Sequence, residues 1–291
     1  MENKIVLITG GSSGFGYLAS IILAKKGYKV YAASRRIELM EPLKEYGIIP
    51  LKLDVTDDES CKEAVDTIIK NDGKIDILVN NAGYGALGPV ETMDIEEVKN
   101  QIDVNVIGIG RMVKICAPYM REQGSGRIVN IGSLAGKHSM YMGGWYSATK
   151  YALEGLTDAM RMELKKFGIK VVLVEPGPFA SNWGIIASEK IRKYSVNTPY
   201  EDDAKVVADA YEGFFSKKNL IVKDPMVAAK KIVKASTKKH PKARYKVGSF
   251  AYTYSIAQFF LPTRLLDRIA TKTYSGKIVK HYLKKNAKNK Q

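Results

Sequence analysis

Short apolar runs alternate with longer amphipathic segments through the first two-thirds of the chain. Runs rich in β-branched residues predict strands at residues 5–8, 29–33, 49–53, 77–79, 127–131 and 171–174. The segments between them are long enough for crossover helices, which is typical of βαβ units. The run 77–79 is apolar on both faces, as expected for a strand that helices cover on both sides. The pattern predicts an α/β fold, a doubly wound parallel sheet (Rossmann fold) with helices on both faces.

Composition fits a globular protein and changes this picture little. Of the 291 residues, 45% are hydrophobic and 26% are charged, enough to bury a substantial core. No apolar run reaches the roughly 20 residues that cross a bilayer, and no signal-like segment precedes the first predicted strand. Cys61 and Cys116 lie far from any His or Cys at metal-ligand spacing. We therefore expect a cytoplasmic protein with reduced cysteines and no metal site.

The positive charge is concentrated at the C-terminal end. Residues 217–291 hold 20 Lys and Arg against two acidic residues, whereas the whole chain carries a net charge of +16. No recognition motifs are interleaved with these basic residues, so we predict no nucleic-acid partner. The pattern favours a Rossmann-type domain over residues 1–248 and a basic, aromatic C-terminal extension over residues 249–291.

The extension contains an aromatic-rich stretch, residues 249–261, between basic segments. It is too short to span a membrane. Three roles stay open: a lid over the substrate cleft, a subunit contact, or peripheral contact with an anionic membrane surface. The last would make the cytoplasmic protein membrane-associated.

A glycine-rich turn directly follows the first predicted strand and opens a helix predicted over residues 17–26. Glycines let the backbone approach a pyrophosphate closely, and a helix N-terminus offers free N–H groups to the anion. Glycine and serine also build plain loops, but the position at a strand-to-helix junction favours a dinucleotide site. The predicted contacts are Gly10, Ser12, Ser13, Gly14, Phe15 and Gly16.

The end of the second predicted strand favours NADP(H) over NAD(H). An acidic residue that binds the ribose 2′-hydroxyl of NAD is expected near this point, but Ser34 occupies it, and Arg35 and Arg36 follow. A guanidinium pairs well with a 2′-phosphate, which a carboxylate would repel. The alternative is that both arginines simply solvate a surface loop.

The third and fourth predicted strands end in further candidate cofactor contacts. Asp54 and Val55 follow the third strand, where Asp54 is placed to accept a hydrogen bond from the adenine amino group. Alternatively, Asp54 is a neighbour of a helix N-cap within residues 56–59. Asn81, Ala82 and Gly83 follow the fourth strand and are predicted to pack against the adenosine.

Candidate catalytic chemistry begins with Tyr146 and Lys150, which lie four residues apart in a segment predicted to be helical to residue 167. This spacing places both on one helical face. A nearby ammonium lowers the pKa of a phenol from its usual value of about 10. Such pairs are usually structural, but Ser133 follows the fifth strand, at the sheet edge where α/β proteins bind ligands.

Two further positions belong to this candidate site. Asn105 lies in a helical pattern, where Asn has poor propensity, so we expect it to be held by partners, including a water that links it to Lys150. Pro176 and Gly177 follow the sixth strand and are predicted to shape a nicotinamide pocket, with Ser181 binding the carboxamide. Pro-Gly-Pro is also a strong turn signal in its own right.

Together these motifs resemble the short-chain dehydrogenase/reductase family over residues 4–185. The resemblance rests on the order and spacing of residues 9–16, 80–83, 105, 133, 146–150 and 176–178. It implies one Rossmann domain with a seven-stranded sheet, ordered hydride transfer without a metal, and a homodimer or homotetramer.

The resemblance also implies roles for individual residues. Tyr146 would exchange a proton with the substrate oxygen, Lys150 would lower its pKa and bind the nicotinamide ribose, Ser133 would position the substrate, and Asn105 would hold a relay water. Two positions depart from the family pattern. Ser181 stands where Thr is usual, and Ser13 stands where NADP-preferring members often have a basic residue.

The C-terminal quarter is similar to the branch that includes hydroxysteroid and retinol dehydrogenases. That similarity implies a bulky apolar ketone or secondary alcohol, such as a steroid, retinoid or lipid, as the substrate. The alternatives are a 3-oxoacyl or small-carbonyl reductase and a non-catalytic NADP-binding regulator.

Overall fold

The computed structural model describes residues 4–180, 183–215, 222–248 and 260–274. Seven strands form one parallel sheet in the order β3-β2-β1-β4-β5-β6-β7. The doubly wound parallel sheet predicted from the sequence is therefore confirmed. Its strands are β1 (Ile5–Thr9), β2 (Lys29–Ser34), β3 (Ile49–Lys52), β4 (Ile77–Asn80), β5 (Gly126–Ile131), β6 (Ile169–Pro176) and β7 (Arg244–Val247).

The strand order reverses between β1 and β4. The chain runs outward from β1 to β3, returns to pair β4 with the free side of β1, and then continues outward to β7. Where two neighbouring strands send their connections to opposite sides of a sheet, a crevice opens beyond their carboxyl ends. The topology therefore provides a ligand site at the ends of β1 and β4.

Helices cover both faces of the sheet. The described residues include nine α-helices: α1 (Gly14–Lys25), α2 (Asp58–Asp72), α3 (Ile95–Ile102), α4 (Gly108–Glu122), α5 (Gly144–Leu164), α6 (Trp183–Ser195), α7 (Glu201–Phe214), α8 (Pro225–Thr237) and α9 (Thr263–Tyr274).

Two apolar cores lie on opposite faces of the sheet. Leu7 packs into the core that faces α2, α4 and α5, whereas its neighbours Val6 and Ile8 pack into the core that faces α1 and α8. Side chains alternate between the faces of a strand, and all three are completely buried. Burial on both faces explains why β1 has no polar residue between its apolar positions.

Helix α1 begins three residues earlier than the sequence predicted, at Gly14 instead of Tyr17. The glycine-rich turn is therefore partly helical. Gly14 has a φ of +59°, a backbone conformation that favours glycine. A Cβ on Gly16 would overlap the side-chain amide of Asn81, so this position of the first helical turn also favours glycine.

The C-terminal extension is described only over residues 260–274, most of which form α9. Most of the aromatic-rich stretch, residues 249–259, lies outside the described residues, so the boundary at residue 248 stays a prediction. Among the residues that the structure describes, no helix has both the length and the apolar content to cross a membrane.

The turn between α5 and β6 provides a test of close backbone packing. Gly168 has a φ of +76°, and a Cβ at this position would overlap the carbonyl oxygen of Gly124. Left-handed backbone costs an L-residue about 1–2 kcal/mol, and overpacking costs about 1–3 kcal/mol more. We expect Gly168→Ala to lower the free energy of unfolding by about 2–5 kcal/mol in urea titrations.

Gly73 is the matched control for this substitution. It ends α2 with a φ of +70°, but nothing lies within 4 Å of a Cβ placed there. Gly73→Ala should therefore cost only the left-handed penalty of about 1–2 kcal/mol. Equal losses in the two variants would contradict the close approach of Gly124.

Candidate active site

A cavity of about 1230 Å³ opens at the carboxyl ends of the strands, where the strand order reverses. Most of the residues predicted from the sequence line it. Gly16 and Asn105 do not line the cavity, and Ser181 lies outside the described residues. The predicted residues in the lining are Gly10, Ser12, Ser13, Gly14, Phe15, Arg35, Arg36, Asp54, Val55, Asn81, Ala82, Gly83, Ser133, Tyr146, Lys150, Pro176 and Gly177.

The loops after β1 and β4 are joined by side-chain hydrogen bonds to backbone. The Thr9 hydroxyl accepts from the backbone N–H groups of Asn81 and Ala82, both at 3.1 Å. The Asn81 amide donates to the carbonyl oxygens of Thr9 at 3.1 Å and Gly10 at 3.0 Å. A Cβ on Gly10 would lie 2.8 Å from the Cα of Ala82. Glycine is therefore required at position 10 by contact as well as by its φ of +67°.

The start of α1 presents unpaired backbone donors to the cavity. Ser13 is the N-cap, and its side chain makes no capping hydrogen bond. The first N–H groups of a helix have no intrahelical acceptor, and the helix dipole makes this end positive. Open space lies beside Gly14, where a Cβ would contact nothing within 4 Å. This arrangement fits the pyrophosphate of a dinucleotide.

Two arginines lie at the rim of the cavity after β2. Ser34 is buried, and its hydroxyl accepts from the backbone N–H of Arg36 at 3.1 Å. The Arg36 guanidinium donates to the Ser12 hydroxyl at 3.4 Å, while the Arg35 side chain is 70% exposed and lies 3.9 Å from an Asp54 oxygen. The rim therefore carries two cations beside the glycine-rich turn, a charge arrangement that suits a phosphate ester.

Asp54 lies three residues before the N-cap of α2, as the alternative from the sequence predicted. Its Oδ1 accepts from the N–H of Thr56 at 3.0 Å and from the Thr56 hydroxyl at 2.8 Å. The cap is Asp57, whose side chain accepts from the N–H of Ser60 at 2.9 Å. The Asp54 carboxylate is thus oriented by a local turn, at the cavity wall where an adenine contact was predicted.

Ser133, Tyr146 and Lys150 meet at the end of β5. The Ser133 hydroxyl caps a short turn by accepting from the N–H of Ala135 at 3.1 Å, and it lies close enough to Tyr146 to favour the phenolate. Lys150, one helical turn along α5, donates from Nζ to the carbonyl oxygen of Ile131 at 3.0 Å. Its Nζ lies 5.8 Å from the centroid of the Tyr146 ring. The structure thus brings together the three groups that the sequence predicted as neighbours.

Burial determines the protonation of this group. It raises the pKa of Tyr146, against which the Ser133 hydrogen bond acts, and it lowers the pKa of Lys150 to about 8. The direction for Tyr146 is opposite to the lowering expected from the sequence. The phenol is 9% exposed, and the Lys150 ammonium points at the Ile131 carbonyl, so desolvation of the phenolate outweighs attraction to the cation.

Asn105 lies behind the cavity wall in a π-helical segment, Asp103–Ile107. Its Oδ1 accepts from the N–H of Tyr84 at 3.0 Å, and its Nδ2 donates to the carbonyl oxygen of Tyr84 at 2.8 Å and to the Thr149 hydroxyl at 3.2 Å. The sequence predicted that this Asn needs partners, but it did not predict that backbone of Tyr84 would supply them. A Cβ on Gly83 would lie 3.1 Å from Asn105 Oδ1 and 3.9 Å from Lys150 Nζ.

Comparison with known protein families decides the assignment. The family model described as short chain dehydrogenase matches residues 4–190. The chain belongs to the short-chain dehydrogenase family.

Curated members of the family resemble most of this chain. A probable short-chain type dehydrogenase/reductase, VdlC, from Helicobacter pylori is 40% identical over 84% of this chain and 88% of its own. A 3-ketodihydrosphingosine reductase from Bacteroides thetaiotaomicron is 34% identical over 92% and 96%. Retinol dehydrogenase 16 from Rattus norvegicus is 33% identical over 92% and 88%.

Solved structures of family members superpose over the same region. A short-chain dehydrogenase from Streptomyces avermitilis gives a TM-score of 0.75 at 29% identity, over 96% of this chain and 98% of its own. An NAD⁺-bound xylitol dehydrogenase gives 0.71 at 25% identity, over 85% and 98%. A closed serine dehydrogenase complexed with NADP⁺ gives 0.70 at 27% identity, over 83% and 93%. The xylitol dehydrogenase is thus bound to NAD⁺, and the serine dehydrogenase is bound to NADP⁺.

The far end of the cavity in this short-chain dehydrogenase is apolar and aromatic. The Trp183 ring centroid lies 5.6 Å from that of Tyr146 and 4.9 Å from that of Phe215, and Tyr211 stacks on Phe215 at 5.9 Å. Burial lowers the pKa of the adjacent His138 to about 4, so this side chain is neutral at physiological pH. Other apolar side chains in the cavity lining include Met140, Ile186, Phe214 and Ile269.

None of these aromatic-end residues was predicted from the sequence. Tyr211 and Phe215 are four residues apart, a spacing that places them on one helical face. Aromatic residues at helical spacing usually belong to a core, and α6 and α7 lie outside the predicted elements. Among the described side chains of α9, Ile269 lines the cavity, and it brings the C-terminal extension to this site.

Proposed function

We propose that this short-chain dehydrogenase transfers a hydride between NADP(H) and a ketone or secondary alcohol of a bulky apolar substrate. The observation that carries the proposal is the position of Ser133, Tyr146 and Lys150. They lie in the wall of a single cavity whose other parts are a glycine-rich cradle and an aromatic end. An anionic cofactor and an apolar substrate would thus share one enclosure with an acid/base group.

The cofactor would be held by residues from five strand ends. The glycine-rich turn at the start of α1 would bind the pyrophosphate. Residues 54–55 and 81–83 would contact the adenosine, and Pro176 and Gly177 would contact the nicotinamide. Arg35 and Arg36 would pair with the 2′-phosphate, and the absence of a carboxylate at Ser34 supports NADP(H). Binding of the carboxamide by Ser181 stays a prediction. The bound nicotinamide supplies or accepts the hydride.

The protein supplies the proton. In the reducing direction, the Tyr146 hydroxyl donates its proton to the substrate oxygen, and in the oxidising direction the Tyr146 phenolate takes the proton from the substrate hydroxyl. Burial raises the pKa of this phenol, which keeps it protonated and suits the acid role in ketone reduction. Ser133 lies next to Tyr146 in the cavity wall, so both hydroxyls can hold the same substrate oxygen.

Lys150 and Asn105 would support this proton transfer. The Lys150 ammonium is fixed by the Ile131 carbonyl, and its pKa of about 8 leaves it mostly charged at neutral pH. Asn105 fixes Tyr84 and Thr149, the residue before Lys150. We infer that Asn105 also holds the relay water implied by the family resemblance.

The aromatic end supports a bulky apolar substrate. Trp183, Tyr211 and Phe215 form a continuous ring cluster next to Tyr146. One relative is named for 3-ketodihydrosphingosine and another for retinol, both of which have long apolar portions. A lipid-like ketone therefore fits the proposed site better than a small polar carbonyl.

The position of Ile269 supports the role of α9 as a lid over this apolar end. The basic residues Arg264, Arg268 and Lys272 recur at intervals of four along the same helix, which places them on one face. Contact of this face with an anionic membrane, and assembly into a homodimer or homotetramer, stay predictions.

The substrate class is tested by following NADPH oxidation with a panel of ketones. We expect long-chain 3-keto lipids, steroids or retinoids to give kcat/KM values at least 10-fold higher than those of acetoacetyl thioesters or small carbonyl compounds, because only the former fill the aromatic end. Each apolar methylene group that is buried contributes about 0.8 kcal/mol. Higher kcat/KM for the small carbonyl compounds would contradict the assignment.

The acid/base role is tested with Tyr146→Phe and the best substrate of that panel. Removing the hydroxyl should lower kcat by a factor of about 10²–10⁴, while the dissociation constant of NADPH changes by less than about twofold. Tyr151→Phe, on an exposed position of the same helix, is the control and should retain full activity. Normal turnover by Tyr146→Phe would refute the assigned role.

The 2′-phosphate assignment is tested by measuring NADPH and NADH affinities through fluorescence. A charge-assisted hydrogen bond contributes about 1.5–3 kcal/mol, so Arg35→Ala should weaken NADPH binding about 10- to 100-fold and leave NADH binding nearly unchanged. Arg121→Ala removes the same charge from exposed α4 outside the cavity and should change neither affinity. Equal losses for both cofactors in Arg35→Ala would overturn the assignment.

A further inference from the structure

A buried cluster of charged side chains connects three segments that carry the active site. Glu154 follows Lys150 by one turn of α5, Glu175 immediately precedes the Pro176 turn, and Lys137 ends the short turn that Ser133 begins. Arg244, the first residue of β7, joins the cluster from the edge of the sheet. These side chains do not line the cavity, and the mechanism above does not use them.

Two cations are shared between the two glutamates. Lys137 Nζ lies 2.7 Å from Glu154 Oε2 and 3.4 Å from Glu175 Oε1. Arg244 Nη2 lies 3.1 Å from Glu154 Oε2, and its Nε lies 3.9 Å from Glu175 Oε1. Both cations are therefore closer to Glu154, and Glu175 has the weaker compensation.

Glu175 has too few donors for a carboxylate. It is 2% exposed, and neither of its carboxyl oxygens has a hydrogen-bond partner among the described residues. The Oε1 atom of Glu154 is also buried without a partner there. An isolated buried charge is costly, and two neighbouring carboxylates that share the same cations cannot both ionise readily. A proton on one carboxyl would form an O–H···O bond to the other and satisfy two of the three oxygens left over.

We propose that Glu175 and Glu154 share one proton at neutral pH, and that this acid pair holds α5, the Ser133 turn and the Pro176 turn together as positioning groups of the active site. The shared proton follows from the burial of the pair, its unpartnered oxygens and the two cations that it shares. Its consequence for turnover rests on the proposed function. When the proton is lost, two adjacent negative charges separate the Pro176 turn from α5.

The remaining charged groups around the pair do not replace this proton. Asp158, one turn beyond Glu154, is paired with Arg244 at 2.6 Å and with Arg161. Lys246 is the ladder partner of Glu175 on β7. Lys150 precedes Glu154 by one turn and donates to the Ile131 carbonyl. The cations that face Glu175 within 4 Å among the described residues are Lys137 and Arg244, and both also contact Glu154.

The titration of the pair has a defined sign. Burial is the largest cause that raises the pKa of Glu175 to about 7, and the neighbouring Glu154 is the next. Lys137 and Arg244 act in the opposite direction and lower this pKa. An unfolded glutamate titrates near ~4.3, so the folded protein binds the extra proton between these values. The stabilisation is fully present below the unfolded pKa and is lost as pH rises toward 7.

The decisive experiment measures the folding equilibrium constant of the whole protein against pH, by urea unfolding, for the wild type and Glu175→Gln. Glutamine keeps the shape, stays neutral and can donate to Glu154. We expect the ratio of wild-type to variant folding constants to fall about 10-fold per pH unit between pH 5 and 7, and then to level off. Glu163→Gln is the control, at an exposed position of α5, the helix that carries Glu154. The ratio of wild-type to Glu163→Gln folding constants should be independent of pH over this interval.

Glu154→Gln is the second variant, and it keeps the test valid if Glu175→Gln does not fold. Without the adjacent charge, Glu175 should ionise at lower pH, so the pH-dependent loss of stability should shift down by about one unit or more. Parallel wild-type and Glu175→Gln curves, or no shift in Glu154→Gln, would overturn the shared proton.

The positioning role has its own readout. Between pH 6 and 8.5, we expect the NADPH dissociation constant of the wild type to rise several-fold relative to that of Glu175→Gln, because residues 176–177 follow the titrating group. If the folding constants titrate as expected but the ratio of NADPH dissociation constants does not change with pH, the pair is only structural and its positioning role is overturned. If no panel compound is turned over, the stability curves still test the acid pair while the proposed function fails.

Discussion

The site depends on the connection between the ends of β1 and β4. Without further contacts these two loops would lie apart, because the chain leaves β1 and β4 toward opposite faces of the sheet. Thr9 and Asn81 hold them together with four hydrogen bonds between side chain and backbone. Because each of these bonds ends on main chain, the spacing of the crevice is fixed by backbone and is independent of the surface side chains. The glycine contacts at positions 10 and 16 are possible only with the loops at this distance.

Much of the fold and the cofactor half of the site could be predicted from the sequence. Strands buried on both faces give continuous apolar runs, and side chains at their carboxyl ends necessarily converge at one edge. Gly10, Asn81, Ser133 and Tyr146 therefore occur together in the cavity, as predicted. In these positions, local sequence and topology jointly determine the location of a residue.

The substrate half could not be predicted in the same way. Trp183 and Tyr211 come from α6 and α7, which pack against each other, and Phe215 ends α7. Nothing in a helical repeat distinguishes a cavity wall from a core. The π-helical turn at Asn105 adds a residue to a helix without a sequence signal. The pKa of Tyr146 moved opposite to the direction expected from Lys150, because proximity along a helix says nothing of desolvation.

The position of β7 along the chain affects when the edge of the sheet is covered. β7 is the last of the described strands along the chain, and it covers the outer edge of β6. A nascent chain that lacks residue 244 leaves this edge open to water, so Glu175 loses part of the burial that raises its pKa. On the proposed acid pair, the proton is taken up only when β7 covers Glu175. Closure of the sheet and maturation of the catalytic pocket would then be a single event.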